Sequence, residues 1–313
     1  KKRIEEQLTD GDTDQNLTKI DDLVTRVGRM QIIRITVDDS YDAYRIFETV
    51  NATGVDLSVA DLLKNMVFRH IPEDNDSGDD PAEKKWTSMK ENLAAINLEV
   101  ARFVRYHWIS SRETVTMGNL YKSVKGATTD RGWAELLDNL HDDSKLLNKL
   151  MTGTIHNPNS LRILDEINSK LKSISGMGFS QCYVLLLSLY RNRERMNFSW
   201  EEFAQIVTEI ENFNFVYHTI SSRPANKVET FYSRKAIAIQ EISTDTDGQH
   251  RFRSNINAIY NELNSLKPSK IEFVEDFKSA TQYTTSTKRK TLIRYILARV
   301  EGKYYPAQVA ERP

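Results

Sequence analysis

A chain of 313 residues is long enough for one large domain or two ordinary ones. Its 43 basic and 44 acidic side chains nearly cancel, so no global field draws it to nucleic acid or to a membrane, and any such contact must be local. A single cysteine excludes an internal disulfide framework, and no apolar run reaches the roughly 20 residues that span a bilayer. That cysteine, Cys182, lies in QCYVLLLSLY, reads as a small buried hydrophobe, and suits a reducing, cytoplasmic setting. The chain opens KKRIEEQ without an initiator methionine or a signal peptide, which reads as part of a longer protein.

In chain order, residues 1–29 are helical in pattern but polar, with a break expected at Asp10–Asn16 (DGDTDQN). Acidic groups at the first, third, fifth and twelfth positions of Asp10–Asp21 mimic a calcium loop, but Gln15 stands where its sharp turn needs glycine. A polar helix–helix connection is the simpler reading there. Met30–Val37 (MQIIRITV) alternates Ile33, Ile35 and Val37 with Arg34 and Thr36, the period of a half-buried strand. A helix follows with Ala43, Ile46, Phe47 and Val50 on one face. After Gly54, Ser58 and Asp61 form a capping-box-like start to a second helix, which buries Leu62, Leu63, Met66 and Val67 and stops at Pro72. Glu73–Lys85 (EDNDSGDDPAEKK) reads as an exposed acidic loop.

From Trp86 onward helix follows helix. Phe103–Trp108 is aromatic core, and Leu136–Leu150 and Leu161–Ile174 are amphipathic. Gly176 and Gly178 introduce the most apolar helix, Ser180–Tyr190, expected at the centre of the fold. Ser199 and Glu202 make a capping box for the helix carrying Phe203, Ile206, Val207 and Ile210. Phe231–Ile242 and Phe252–Leu266 continue the array, with a loop at Ser243–His250 between them. The last helix, Lys288–Val300, is basic on one side. No fixed-period repeat supports a solenoid.

The first candidate site is the turn Val50–Gly54. Asn51 and Thr53 offer side-chain hydrogen bonds, Gly54 permits close backbone approach, and the amides opening the Ser58 helix suit a phosphate. Lys64 and Asn65 lie one to two turns further on. The same residues also read as ordinary helix punctuation: Asn and Gly end helices, and Asp61 completes a cap. The second candidate is the basic side of the last helix, Lys288, Arg289, Lys290, Arg294, Arg299 and Lys303, opposed in sequence only by Glu301. It reads as a phosphate-contacting stripe or as a solvated face. Arg223, Arg234 and Lys235 around Phe231–Tyr232 read either as a nucleic-acid contact beside stacking rings or as core aromatics with solvated cations.

Other motifs are weak. The six histidines show no HxxxH spacing, His156–Asn159 (HNPN) reads as a turn, Gly176-Met177-Gly178 lacks a third glycine, and Glu83-Lys84-Lys85 reads as a charge run.

The segment FETVNATGVDLSVADLLKN resembles the F-E-x-x-N-x-x-G-x-x-L-S-x-x-D-L-x-K-N signature of the GmrSD-type family of restriction and anti-phage proteins. The match is carried by Phe47, Glu48, Asn51, Gly54, Leu57, Ser58, Asp61, Leu62, Lys64 and Asn65. RFVRYHWISSRETVTMGNLYKSVK and the terminal KRKTLIRYILARVE resemble later helical stretches of that family more diffusely.

The resemblance implies a mainly α fold with a small β remnant of an α+β, ParB/sulfiredoxin-like N-terminal domain. It divides the chain into 1–72 (the end of the nucleotide-hydrolysing domain), 73–85 (the acidic loop) and 86–313 (a helical domain leading toward an HNH nuclease). The family's DGQQR and HxxP motifs are both missing from this sequence, so no catalytic residue is assigned and enzymatic activity of the chain itself stays open. Glu48, Asn51, Gly54, Asp61, Lys64 and Asn65 are the implied nucleotide-side residues. Lys288, Arg289, Lys290 and Arg294 are the expected DNA contacts, and no residue is assigned to a metal. The implied cofactors are a nucleoside triphosphate and Mg2+. The implied partners are double-stranded, modified DNA and a second copy or companion defence subunit, with no membrane. The alternative is a non-catalytic helical module that binds protein or DNA.

Overall fold

The structure, a computed structural model, describes residues 13–30, 59–71, 80–129, 132–157, 159–243, 248–281 and 287–304. Among them are thirteen α-helices and one π-helical segment, so the chain is mainly α. The strand expected at Met30–Val37 lies, beyond Met30, outside the described residues. Contacts divide the chain into two units, Lys1–Asp56 and Leu57–Pro313.

In the first unit the described element is α1, Thr13–Gly28. It is helical through Thr13–Asn16, where a break was expected, and through Asp21. A helical Thr13–Asp21 cannot wrap its carboxylates around calcium, so the loop reading is corrected. An Asp22–Arg26 pair one turn apart, at 2.7 Å, supports the helix instead.

The second unit begins with α2, Val59–His70, which buries Leu62, Leu63 and Val67 as expected and Val59 besides, while Met66 is only half-buried. Helix α3, Pro81–Ala94, starts inside the stretch read as loop. Asp80 has extended backbone and its Oδ1 accepts from the Ala82 amide at 2.9 Å, and Pro81 supplies a preset φ at the first helical position. The charge-rich Asp80–Lys85 is therefore a helix start. Next come α4, Val100–Ile109; α5, Met117–Ala127; α6, Gly132–Thr152; and α7, Leu161–Met177.

Helix α8, Tyr183–Asn192, is the axis of the unit. Seven consecutive residues, Tyr183–Leu189, are buried, and α4, α6 and α10 (Asn226–Ser243) pack around it. Burial on all sides explains why this helix is apolar all round rather than striped. Helix α9, Trp200–Asn214, opens with the expected capping box, Ser199 and Glu202 each serving the other's backbone amide. It packs on α7 and runs directly into the π-helical segment Phe215–Ile220.

Helix α11, Gly248–Leu266, begins two residues before the expected end of the 243–250 loop. Helix α12, Lys270–Ala280, was not anticipated, although Ser269 and Glu272 form a second capping box at its start. It buries none of its residues, and Phe273, Phe277 and Ala280 form only a short, half-exposed apolar stripe. The last element is α13, Thr287–Tyr304.

Candidate functional site

Of the six nucleotide-side residues, Glu48, Asn51 and Gly54 lie outside the described residues, as does Ser58. The remaining three, Asp61, Lys64 and Asn65, are exposed on α2. Their spacing of three and four residues sets them on one face, opposite the buried Leu62, Leu63 and Val67. Phe68 anchors this face: its ring meets the edge of Trp86 with centroids 6.3 Å apart, and Lys64 Nζ sits 5.5 Å from its centroid. At the end of α2, His70 stacks on Trp133 at 5.5 Å, and its Nδ1 donates to the Met66 carbonyl at 2.8 Å.

Among the DNA-side residues, Lys290 and Arg294 are exposed on α13. Lys288 and Arg289 lie in the same helix, with side chains outside the description. The stripe is not wholly unopposed, because Arg299 pairs with Glu211 of α9. Glu211 is 0% exposed and also accepts from the Tyr295 hydroxyl at 3.1 Å. Burial first, and the Glu211 charge second, push the Tyr295 phenol up to about 12. Around Phe231 and Tyr232 the core reading holds: both rings are buried, while Arg234 and Lys235 pair with Glu262 and Arg223 with Glu272.

Two arrangements were not read from the sequence. One is a buried polar cluster joining α4, α6, α8 and α10, in which His107 and Arg191 converge on Asp143. Arg191 also reaches Ser110 Oγ at 2.9 Å and Gln240 Oε1 at 3.4 Å. With its carboxylate held by an arginine, this His–Asp pair is a packing device rather than an exposed base. The other is a cavity of about 920 Å3 beside the π segment, lined by parts of α7, α12, α13 and the turn at 221–225. His218, Ser221, Arg223, Asp276 and Tyr295 are in its wall. No sequence signal marks a π segment, but the Ser269–Glu272 box would have located α12 and hence Asp276.

Among the described residues, no group of three or more His, Cys, Asp or Glu side chains is placed to hold a metal ion, and no helix is long and apolar enough to cross a membrane. The chain matches no family model, and it matches none of the curated proteins.

Proposed function

We propose that this chain is the connecting part of a modification-dependent, nucleotide-regulated DNA restriction endonuclease of GmrSD type, and that it supplies one wall of the nucleotide site. The reading rests on the segment Phe47–Asn65, and its main support is the placement of Asp61, Lys64 and Asn65 together on the exposed face of α2. The donor set fits a magnesium nucleotide. Lys64 holds a phosphate as a compact charge. Asn65 offers an amide donor. Asp61 would offer a carboxylate to the Mg2+ that a nucleotide brings with it. The nucleotide supplies a phosphoanhydride whose hydrolysis controls cleavage. Glu48, Asn51 and Gly54 complete the wall in this proposal, and Glu48 orients the others. Lys288, Arg289, Lys290 and Arg294 steer double-stranded DNA toward the nuclease. A second copy or a companion subunit completes the assembly in the cytoplasm.

The test uses the full-length protein with both flanking domains. Nucleotide hydrolysis and nucleotide-dependent cleavage of modified DNA are measured for the parent, Asn51→Ala and Lys64→Ala. Loss of hydrolysis in both variants is expected; parental rates in both would remove the site. A second reading, a non-catalytic helical module that binds protein or DNA, draws support from the closed His107–Asp143–Arg191 cluster, whose polar groups serve packing. Nucleotide binding measured beside phosphate release separates the two, because a binding module shows no turnover.

A further inference from the structure

Four independent features meet at the end of α9. The helix widens into a π turn over Phe215–Ile220, a rare form that occurs in short pieces and frequently at functional sites. Ser222 then takes φ +48, a left-handed backbone that a side chain resists. The turn is nevertheless well tied, since the amides of Ser221, Ser222 and Arg223 donate to the carbonyls of Val216, His218 and Tyr217 at 3.0–3.1 Å. Beside it lies the 920 Å3 cavity. Two wall residues, His218 and Ser221, each carry a buried polar atom, Nε2 and Oγ, without a hydrogen-bond partner. Folded proteins rarely leave such atoms unserved.

The tautomer of His218 follows from its surroundings. Its Nδ1 lies 3.2 Å from the Arg223 carbonyl, which can only accept, so Nδ1 carries the proton. Nε2 is therefore a bare lone pair that accepts. Burial pulls the imidazole below its usual range, and the Phe179 ring stacks on it at 4.5 Å. The ring is neutral at neutral pH.

The wall selects a class of occupant. Asp276 and His218 Nε2 accept, Arg223 donates with one arm committed to Glu272, and Ser221 and Ser222 do either. Arg223 is already paired with Glu272, so the Asp276 carboxylate leaves the wall acidic on balance. A phosphate brings only acceptors and would face a carboxylate and a lone pair. A flat, uncharged ring with an N–H donor and a carbonyl acceptor on one edge satisfies both kinds of partner, and Phe179 and Tyr295 add aromatic surface. We propose that this cavity binds a nucleobase, presented either by a free nucleoside or by a base turned out of a nucleic-acid strand. His218 Nε2 and Ser221 Oγ are closed to solvent here, so the base reaches them with a small rotation of the imidazole or of the Phe179 ring. The site is separate from α2 and does not depend on the nucleotide reading above.

The test is calorimetric titration of the whole chain with adenosine, guanosine, cytidine and thymidine, and with a short single-stranded oligodeoxynucleotide. Inorganic phosphate and glucose serve as counter-probes. At least one nucleoside or the oligonucleotide should saturate. Asp276→Asn, on a helix that buries nothing, should weaken it about tenfold, the effect of one lost charge-assisted hydrogen bond. The nitrogen resonance of His218 Nε2 should shift on binding, which a merely structural histidine would not show. Tighter binding of the oligonucleotide identifies a strand as the source, and binding of nucleosides alone identifies a small molecule. The proposal is overturned if no base-bearing probe saturates, if phosphate or glucose binds as well, or if Asp276→Asn binds as the parent does with the His218 resonance unmoved.

Discussion

Arg191 grips Asp143 through two nitrogens: Nε donates to Oδ1 at 2.8 Å and Nη2 donates to Oδ2. His107 adds Nδ1 to the same Oδ2 at 2.6 Å, so three helices are tied at one carboxylate that is only 3% exposed. Burial alone would raise the Asp143 carboxyl, but the charge of Arg191, with the bonds from His107, outweighs it and holds the group below its ordinary value.

Removing the carboxylate therefore leaves Arg191 and His107 facing a void. Asp143→Ala should cost about 3–5 kcal/mol in urea unfolding, the usual loss when one member of a buried pair is deleted. Because the folded-state value lies below the unfolded one, the contribution is complete above the ordinary carboxylate pKa of about 3.9 and fades as pH falls through the folded value. Asp143→Asn should accordingly flatten the acid limb of the stability–pH curve. An unchanged limb would show that the pair contributes no charge-dependent stability.

His218 and His141 sit on the opposite kind of footing. Burial lowers both imidazoles, with Lys145 adding to the effect at His141. As pH drops below about 6.5 the unfolded chain takes up protons that the folded chain refuses, so stability should decline until the folded values are passed. Guanidinium unfolding between about pH 7 and pH 5 should show this slope, and His141→Gln should reduce it without abolishing it. His218 would supply part of the remainder. A slope identical in parent and His141→Gln would remove that residue from the account.

The legible part of this fold is the part that buries a stripe. Leu62, Leu63 and Val67 on α2, the solid apolar run of α8, and the Ser199–Glu202 box before α9 all declare themselves through periodicity or cap chemistry. What stayed hidden gave a shorter or weaker signal. Helix α12 buries nothing, and α3 begins in a charged run where only Asp80-Pro81 marks its start. The cavity at the π segment joins residues 122 positions apart, Ser173 to Tyr295, and a local pattern cannot bring those together. The Asp143 cluster is invisible for the same reason: an aspartate amid the polar residues of α6 looks solvated until α4 and α8 close over it.

Two glycines with positive φ make a controlled comparison. Gly153 has φ +60, and a Cβ there would stand 2.5 Å from the Asn168 carbonyl oxygen. That carbonyl cannot retreat freely, because the Asn168 side chain clamps both the amide and the carbonyl of Ile155 at 3.0 and 2.9 Å. Gly178 has φ +78 but open space around the same position. Gly178→Ala should cost about 1–2 kcal/mol, the left-handed backbone penalty alone. Gly153→Ala should cost more, since overlap adds to that penalty. Thermal unfolding of the two variants side by side gives the order, and equal losses would mean that the 153–155 turn relaxes away from Asn168.

Glu211 offers the sharpest view of how α13 is held. Its carboxylate is wholly buried on α9, and its partners arrive from two other helices, Lys170 on α7 at 3.9 Å, and Tyr295 and Arg299 on α13. Leu297 and Val300 of α13 remain exposed, so this polar contact and the Phe215–Tyr295 ring contact at 5.5 Å carry much of the attachment. Arg299→Met keeps the length of the side chain but removes its charge. Lys170 still partly compensates Glu211, so the loss should be about 1–3 kcal/mol rather than that of a fully orphaned charge. Amide exchange should quicken in α13 while α8 stays protected. Glu211→Gln probes the other side of the pair. Burial persists but the neighbouring charge is gone, so the Tyr295 phenol should ionise at lower pH than in the parent and still above its ordinary value of 10. If exchange in α13 were untouched by Arg299→Met, the helix would have to be held by contacts other than those around Glu211.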